Sequence, residues 1–252
     1  MKAAIEKHPV LSFVVIAYGW TWPLAALIRQ SMVFPLLALF GPCVAAIVVL
    51  YASQGRPGLK QLATRFKFSH ALAPWCILVA LLPFILLLPL WLFHHWFWGS
   101  IRFEVGSVSI LSLVVAVFIV GEEVGWRGFL LPRLLQRYSP LISSLIVGLI
   151  WAAWHLPNFL LPSYPHYGLP FSAFVFMTLA FSVLFTWFYL NTSGSLLIAI
   201  IFHAALNLFS LAGVEPSRQY WLKALVYGMA AIIAGAFMLK DRKWDITSAP
   251  SP

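Results

Sequence analysis

Eight stretches of this chain are apolar for long enough to cross a lipid bilayer, near residues 9–28, 32–52, 72–95, 107–137, 140–160, 171–190, 194–211 and 219–239. A hydrocarbon core of about 30 Å calls for about 20 apolar residues of helix. No water is present there, so every backbone N–H has to bond within its own segment. A chain made almost entirely of such stretches is confined to a bundle of membrane-spanning helices. With 62% hydrophobic and only 9% charged residues, a soluble domain is excluded. The expected fold is an all-α polytopic membrane protein of about eight transmembrane helices. It should form one integral-membrane domain over residues 1–252, with a soluble tail at 241–252.

The separators carry the residues that break helices: Gln54-Gly55-Arg56-Pro57-Gly58, Tyr138-Ser139-Pro140, Asn191-Thr192-Ser193-Gly194 and Glu215-Pro216-Ser217. The net charge of +9 is dispersed over short connections and forms no stripe, so nucleic acid is not expected as a partner. Assigned to alternate sides of the bundle, 12 Lys and Arg fall on the side of the two termini. The other side holds 4, Arg29, Arg102, Arg218 and Lys223. The positive-inside rule then makes both termini cytoplasmic. The N-terminus has the charge pattern of a signal sequence, but its apolar run is long and is expected to remain as the first span. Chain size points to a prokaryotic cell membrane. Cys43 and Cys76 have no metal-ligand spacing, and His94-His95 beside Trp96 and Trp98 reads as an interfacial anchor.

The fourth apolar run holds what such a run should exclude, Gly121-Glu122-Glu123-Val124-Gly125-Trp126-Arg127. A carboxylate at the bilayer centre costs about 2.5–3.5 kcal/mol even on the translocon scale, and ionisable residues within spans mark function. Glu123 and Arg127 are spaced i, i+4 with the acid first, the favourable order for an intrahelical ion pair. Glu122 projects about 100° away and faces a different partner. In the fifth run, Trp151-Ala152-Ala153-Trp154-His155 brings a histidine to nearly the depth of Glu122 if the two runs form an antiparallel hairpin about Ser139. In the seventh, His203 and Asn207 share a helix face. A carboxylate beside an imidazole can take a proton from water, while a second histidine and an amide hold the oxyanion of a tetrahedral intermediate. The same groups could instead bind a divalent metal such as zinc. No His-Glu-x-x-His helix is present, which excludes the zincin arrangement.

Taken together and in this order, Glu122-Glu123-x-x-x-Arg127, Trp151-x-x-x-His155 and His203-x-x-x-Asn207 resemble the motifs of the CAAX-protease and bacteriocin-processing family, also called Abi or type II CAAX endopeptidases. The resemblance covers about residues 107–210, the expected catalytic core, with a cavity between helices 4, 5 and 7 opening toward the cytoplasm or the lipid. It implies that Glu122 and His155 activate the attacking water and that His203 and Asn207 stabilise the oxyanion. Glu123, Arg127 and Trp151 would shape the site. The second motif usually begins with Phe, and Trp151 in that place reads as tuning of substrate fit. A metal, if bound, would be held by Glu122, His155 and His203; otherwise glutamate-activated water suffices. The implied partner is a peptide or protein substrate, lipidated or not, met in the bilayer; the oligomeric state is not fixed. Two other readings of the same polar residues are a proton- or ion-coupled transporter and a non-catalytic immunity or scaffolding factor.

Overall fold

A computed structural model describes residues 2–31, 33–98, 102–105, 110–212 and 214–240. The expected soluble tail, 241–252, and the first residues of the fourth span, 107–109, lie outside the described residues. In chain order the elements are α1 (Lys2–Lys7), α2 (Pro9–Ala26), α3 (Val33–Ala38), α4 (Gly41–Thr64) and α5 (Ala73–Trp98). Next come a short strand β1 (Arg102–Val105), α6 (Ile110–Gly125), a π-helical turn at Trp126–Leu130 and α7 (Leu131–Leu134). The second half holds α8 (Pro140–Trp154), α9 (Leu156–Leu160), α10 (Phe171–Asn191), α11 (Leu196–Leu208), β2 (Phe209–Ala212) and α12 (Pro216–Lys240). The fold is all-α apart from one antiparallel ribbon, in which Arg102 faces Ala212 and Val105 faces Phe209.

α10 lies between α8 and α12, while α2, α4 and α6 pack in sequence on the other side. α11 joins the two groups through contacts with α5, α6 and α10. α10 is apolar on every face and mostly buried, as a central helix of a bundle is.

Among the described residues five helices are long and apolar enough to cross a membrane, Pro9–Ala26, Leu36–Thr64, His70–Phe97, Phe171–Asn191 and Pro216–Lys240. The three runs that carry the polar motifs are the short ones: α6 has 16 residues before its π turn, α8 has 15 and α11 has 13. At 1.5 Å per residue α8 and α11 extend about 22 and 20 Å, less than the hydrocarbon thickness. The expected fifth span, 140–160, is broken at His155 because Pro157 has no N–H to return to the carbonyl four residues earlier. Conversely, the expected separator at Gln54–Gly58 is a kink within α4, where Gly55 adopts φ 63°, a conformation that suits glycine.

What sets α6 in place is close contact with α4. A Cβ on Gly125 would lie 2.3 Å from Pro42 Cβ and 2.8 Å from the Pro42 carbonyl oxygen, and one on Gly121 would lie 3.1 Å from the Phe40 ring. Glycines four apart let two membrane helices approach backbone to backbone. Glu122 and Glu123 are carried on the turn between them.

Candidate active site

Glu123 is fully buried and Arg127 is 1% exposed. Arg127 Nη1 donates to Glu123 Oε1 at 2.9 Å, within one helical turn. The guanidinium lies 3.6 Å from the centre of the Phe185 ring and 4.8 Å from that of Trp151, so a cation without water is held by a carboxylate and two π faces. The same Glu123 Oε1 accepts from His203 Nδ1 at 2.7 Å. A carboxylate accepts only, so Nδ1 of His203 carries its proton and Nε2 is the nitrogen left for the cavity.

Glu122 turns the other way on the helix. Its Oε2 accepts from Trp151 Nε1 at 2.9 Å and from Trp126 Nε1 at 3.4 Å. Two indole N–H groups thus support one carboxylate oxygen, and Glu122 itself is buried behind Trp151, outside the lining of the cavity that His155, His203 and Asn207 share. His155 ends α8, and its Nδ1 lies 2.9 Å from the Trp151 carbonyl oxygen. The carbonyl can only accept, so Nδ1 donates and Nε2 is the basic atom. Among the described residues Glu122 and His155 do not hydrogen-bond to each other. Trp151 stands between them, its side chain on Glu122 and its carbonyl on His155.

Trp151, His155, His203 and Asn207 line one cavity of about 260 Å³, closed on its other sides by Phe174 and Phe181 of α10, by His166, and by Gln219, Tyr220 and Lys223 of α12. Burial lowers the pKa of His166, whose ring stacks on Phe159. The loop from 161 to 170 thus contributes a wall through His166. The cavity opens at the end of the bundle where α8 and α11 stop and α12 starts. That is the end opposite Lys240, the last residue of α12.

The expected metal ligands, Glu122, His155 and His203, are not assembled as a set. No three His, Cys, Asp or Glu groups among the described residues come close enough to hold a metal ion, although both histidines donate Nδ1 to a fixed acceptor and keep Nε2 for the cavity. Sequence reasoning assigned Trp151 only to packing and omitted Trp126. The i, i+4 spacing of Glu122 and Trp126 was the signal available for the second. Nothing local signalled the bond between His203 and Glu123, residues 80 apart.

Residues 102–209 match the family described as type II CAAX prenyl endopeptidase, Rce1-like. The chain is also similar to CAAX prenyl protease 2 of Methanococcus maripaludis, with 31% identity over 157 residues. That alignment covers 58% of this chain and 55% of the relative, so the chain spans about half the length of the curated protein it matches.

Proposed function

We propose that this chain, a member over residues 102–209 of the Rce1-like family of type II CAAX prenyl endopeptidases, is an intramembrane endopeptidase working by glutamate-activated water. The observation that carries the reading is the fixing of both cavity histidines by Nδ1, on a carbonyl and on a buried carboxylate, so that each offers Nε2 to the cavity. Behind the cavity wall formed by Trp151 stands a second carboxylate, Glu122, supported by two indoles.

In this mechanism a water held by Glu122 and by Nε2 of His155 attacks the scissile carbonyl carbon, and its proton passes to Glu122. The carbonyl oxygen, now an oxyanion, accepts from the Asn207 amide and from His203 when Nε2 also carries a proton. Glu123 holds His203 in place and supports the charge it then bears. Collapse of the intermediate breaks the C–N bond, and the proton on Glu122 goes to the departing amine. A positioned general base contributes about 10²–10⁴ in rate and one oxyanion donor about 10²–10³. Those factors are the expected losses for Glu122→Gln and Asn207→Ala. This mechanism uses no metal, a choice supported by the absence among the described residues of three His, Cys, Asp or Glu groups close enough to hold one.

The test is cleavage of fluorogenic peptides, lipidated and unlipidated, by detergent-purified protein. The wild type is expected to turn over, at a rate within about twofold with a chelator present, while Glu122→Gln folds and turns over more slowly by about 10²–10⁴. Turnover at the wild-type rate in Glu122→Gln overturns the mechanism. Activity lost to the chelator and restored by zinc overturns its metal-free form.

A further inference from the structure

At the end of α4 two arginines line one crevice. Arg65 caps α4, and Arg133 lies in α7, the short helix that follows the π-helical turn. Both side chains are half-buried. The crevice holds about 80 Å³, and its other polar walls include the amides of Gln54, Gln61 and Gln136, with no Asp or Glu among the described residues that line it. The described ion pairs belong to Lys2, Arg127 and His203. Among the described residues, then, neither guanidinium of the crevice is matched by a carboxylate.

Both groups are held in place by the protein. Arg133 Nη1 donates to the Phe129 carbonyl oxygen at 3.1 Å, and its guanidinium lies 3.7 Å from the centre of the Phe129 ring. Arg65 Nη1 donates to the Tyr189 hydroxyl. One nitrogen of each five-donor fork is occupied in this way, and the others still need acceptors. The Arg65 charge acts on Arg133, so two fixed cations repel each other across a space with room for several waters. The group that reverses this repulsion is an anion with several oxygens, and arginine forks match the geometry of phosphate. Positive charge continues next door, where Lys7 and Arg137 line an adjoining crevice with Arg133 and Gln54, against the single acid Glu6.

The crevice lies at a membrane boundary whichever way the bundle is inserted. Arg65 stands between two helices long enough to span, Leu36–Thr64 and His70–Phe97, and Gln136 stands just before α8. Ile47, Val48 and Tyr51 are exposed on α4, which puts acyl chains beside the same helix. We propose that Arg65 and Arg133 form a binding site for a phosphate-bearing anion, the chemistry shared by an anionic phospholipid headgroup and free phosphate. The site also touches the elements that carry the polar motifs. Gly128, in its wall, follows Arg127 in the π turn, and the Arg65 carbonyl oxygen accepts from the N–H of Leu196, the first residue of α11, at 2.9 Å. A bound anion therefore ties α4 to the π turn and, through Arg65, to α11. It stabilises the fold whether or not the chain cleaves peptides.

The test is the melting of the full chain, purified in detergent and stripped of lipid. The probes are inorganic phosphate against chloride at equal ionic strength, a short-chain phosphatidylglycerol and a short-chain phosphatidylcholine. Inorganic phosphate, phosphatidylglycerol or both are expected to raise the wild-type melting temperature by about 5 °C at saturation, the shift that ligand at about 100 Kd produces in a chain of this size. Arg65→Gln combined with Arg133→Gln should lose the rise, while Arg29→Gln combined with Lys240→Gln, which removes the same charge elsewhere, should keep it. Arg65→Lys combined with Arg133→Lys keeps the charge without the fork and should bind about tenfold more weakly, a comparison that stands even if the glutamine pair does not fold. Protection by inorganic phosphate assigns free phosphate as a sufficient ligand, and protection by phosphatidylglycerol alone assigns the lipid headgroup. No protection by either, matching protection by phosphatidylcholine, or wild-type affinity in either arginine pair overturns the proposal.

Discussion

Trp151 donates its indole N–H to Glu122 at 2.9 Å, so the residue standing where the family motif usually has Phe supplies a hydrogen bond that Phe does not possess. A hydrogen bond to a buried charged group contributes about 1.5–3 kcal/mol. Trp151→Phe is expected to keep the ring packing against His203 and Phe185 and to lose that bond. The expected result is a kcat lower by about tenfold with KM little changed, read in a peptide-cleavage assay. A kcat equal to wild type would show that Trp126 alone suffices to orient Glu122.

The two adjacent glutamates should separate in their effect on stability. Glu123→Gln leaves Arg127 charged and buried against Phe185, and breaking a buried pair costs about 3–5 kcal/mol. The melting temperature in detergent should fall by about 10 °C on the scaling for chains of this size. Glu122→Gln, which keeps the shape of a side chain that among the described residues accepts from two indole donors, should melt within about 2 °C of wild type. Equal melting shifts would contradict the assignment of one glutamate to structure and the other to chemistry.

At Gly125 a single methyl group should disturb the helix that carries the paired glutamates. Gly125→Ala puts Cβ against the backbone of Pro42, which cannot rotate away, and overpacking of this kind costs about 1–3 kcal/mol. Since α6 has to shift to relieve it, activity should fall together with melting temperature. Gly228→Ala is the control: a Cβ there meets nothing within 4 Å, and the helix gains up to about 1 kcal/mol of propensity.

Acid should loosen the mouth of the cavity before the core. Glu215 accepts from the backbone N–H groups of Ser217 and Arg218 at 2.9 and 2.8 Å, starting α12. The Ser217 N–H first, and that of Arg218 second, hold its carboxyl below the ordinary range. A depressed acid contributes stability that is complete above its unfolded pKa of about 4.3 and is lost as pH falls through the folded value. Amide exchange at Ser217 and Arg218, corrected for intrinsic rate, should therefore lose protection below about pH 4. Glu215→Gln should show the lower protection at all pH values, with no acid-dependent step.

Local spacing made much of this molecule readable. The i, i+4 pair of Glu123 and Arg127, the shared face of His203 and Asn207, and the apolar runs all follow from helical period and bilayer thickness. What could not be read depended on the rotation and depth of one helix against another. His203 reaches Glu123 rather than Glu122 because α11 packs against the face of α6 that Glu123 occupies, a relation that no motif encodes. Gly55 and Pro57 looked like a chain break, yet a kink accommodates both, since glycine takes the positive φ and the helix resumes beyond it. The position of the cavity mouth depended on where α8 stops, which a run of apolar letters continuing to residue 160 conceals.

The shortness of α8 reaches beyond the protein. Leu145 and Leu149 on its outer side are exposed and meet acyl chains over about 22 Å of helix, against about 30 Å of hydrocarbon. Lipids beside this helix have to compress, at a cost of a fraction of a kcal/mol for each ångström. The penalty is one-sided, because α2 and α12 present 18 and 25 residues and come closer to spanning the hydrocarbon. The molecule therefore distorts its surroundings asymmetrically and draws thinner, more disordered lipid to the flank where its motif-bearing helix ends, much as a notch in a hull sets where the water piles up.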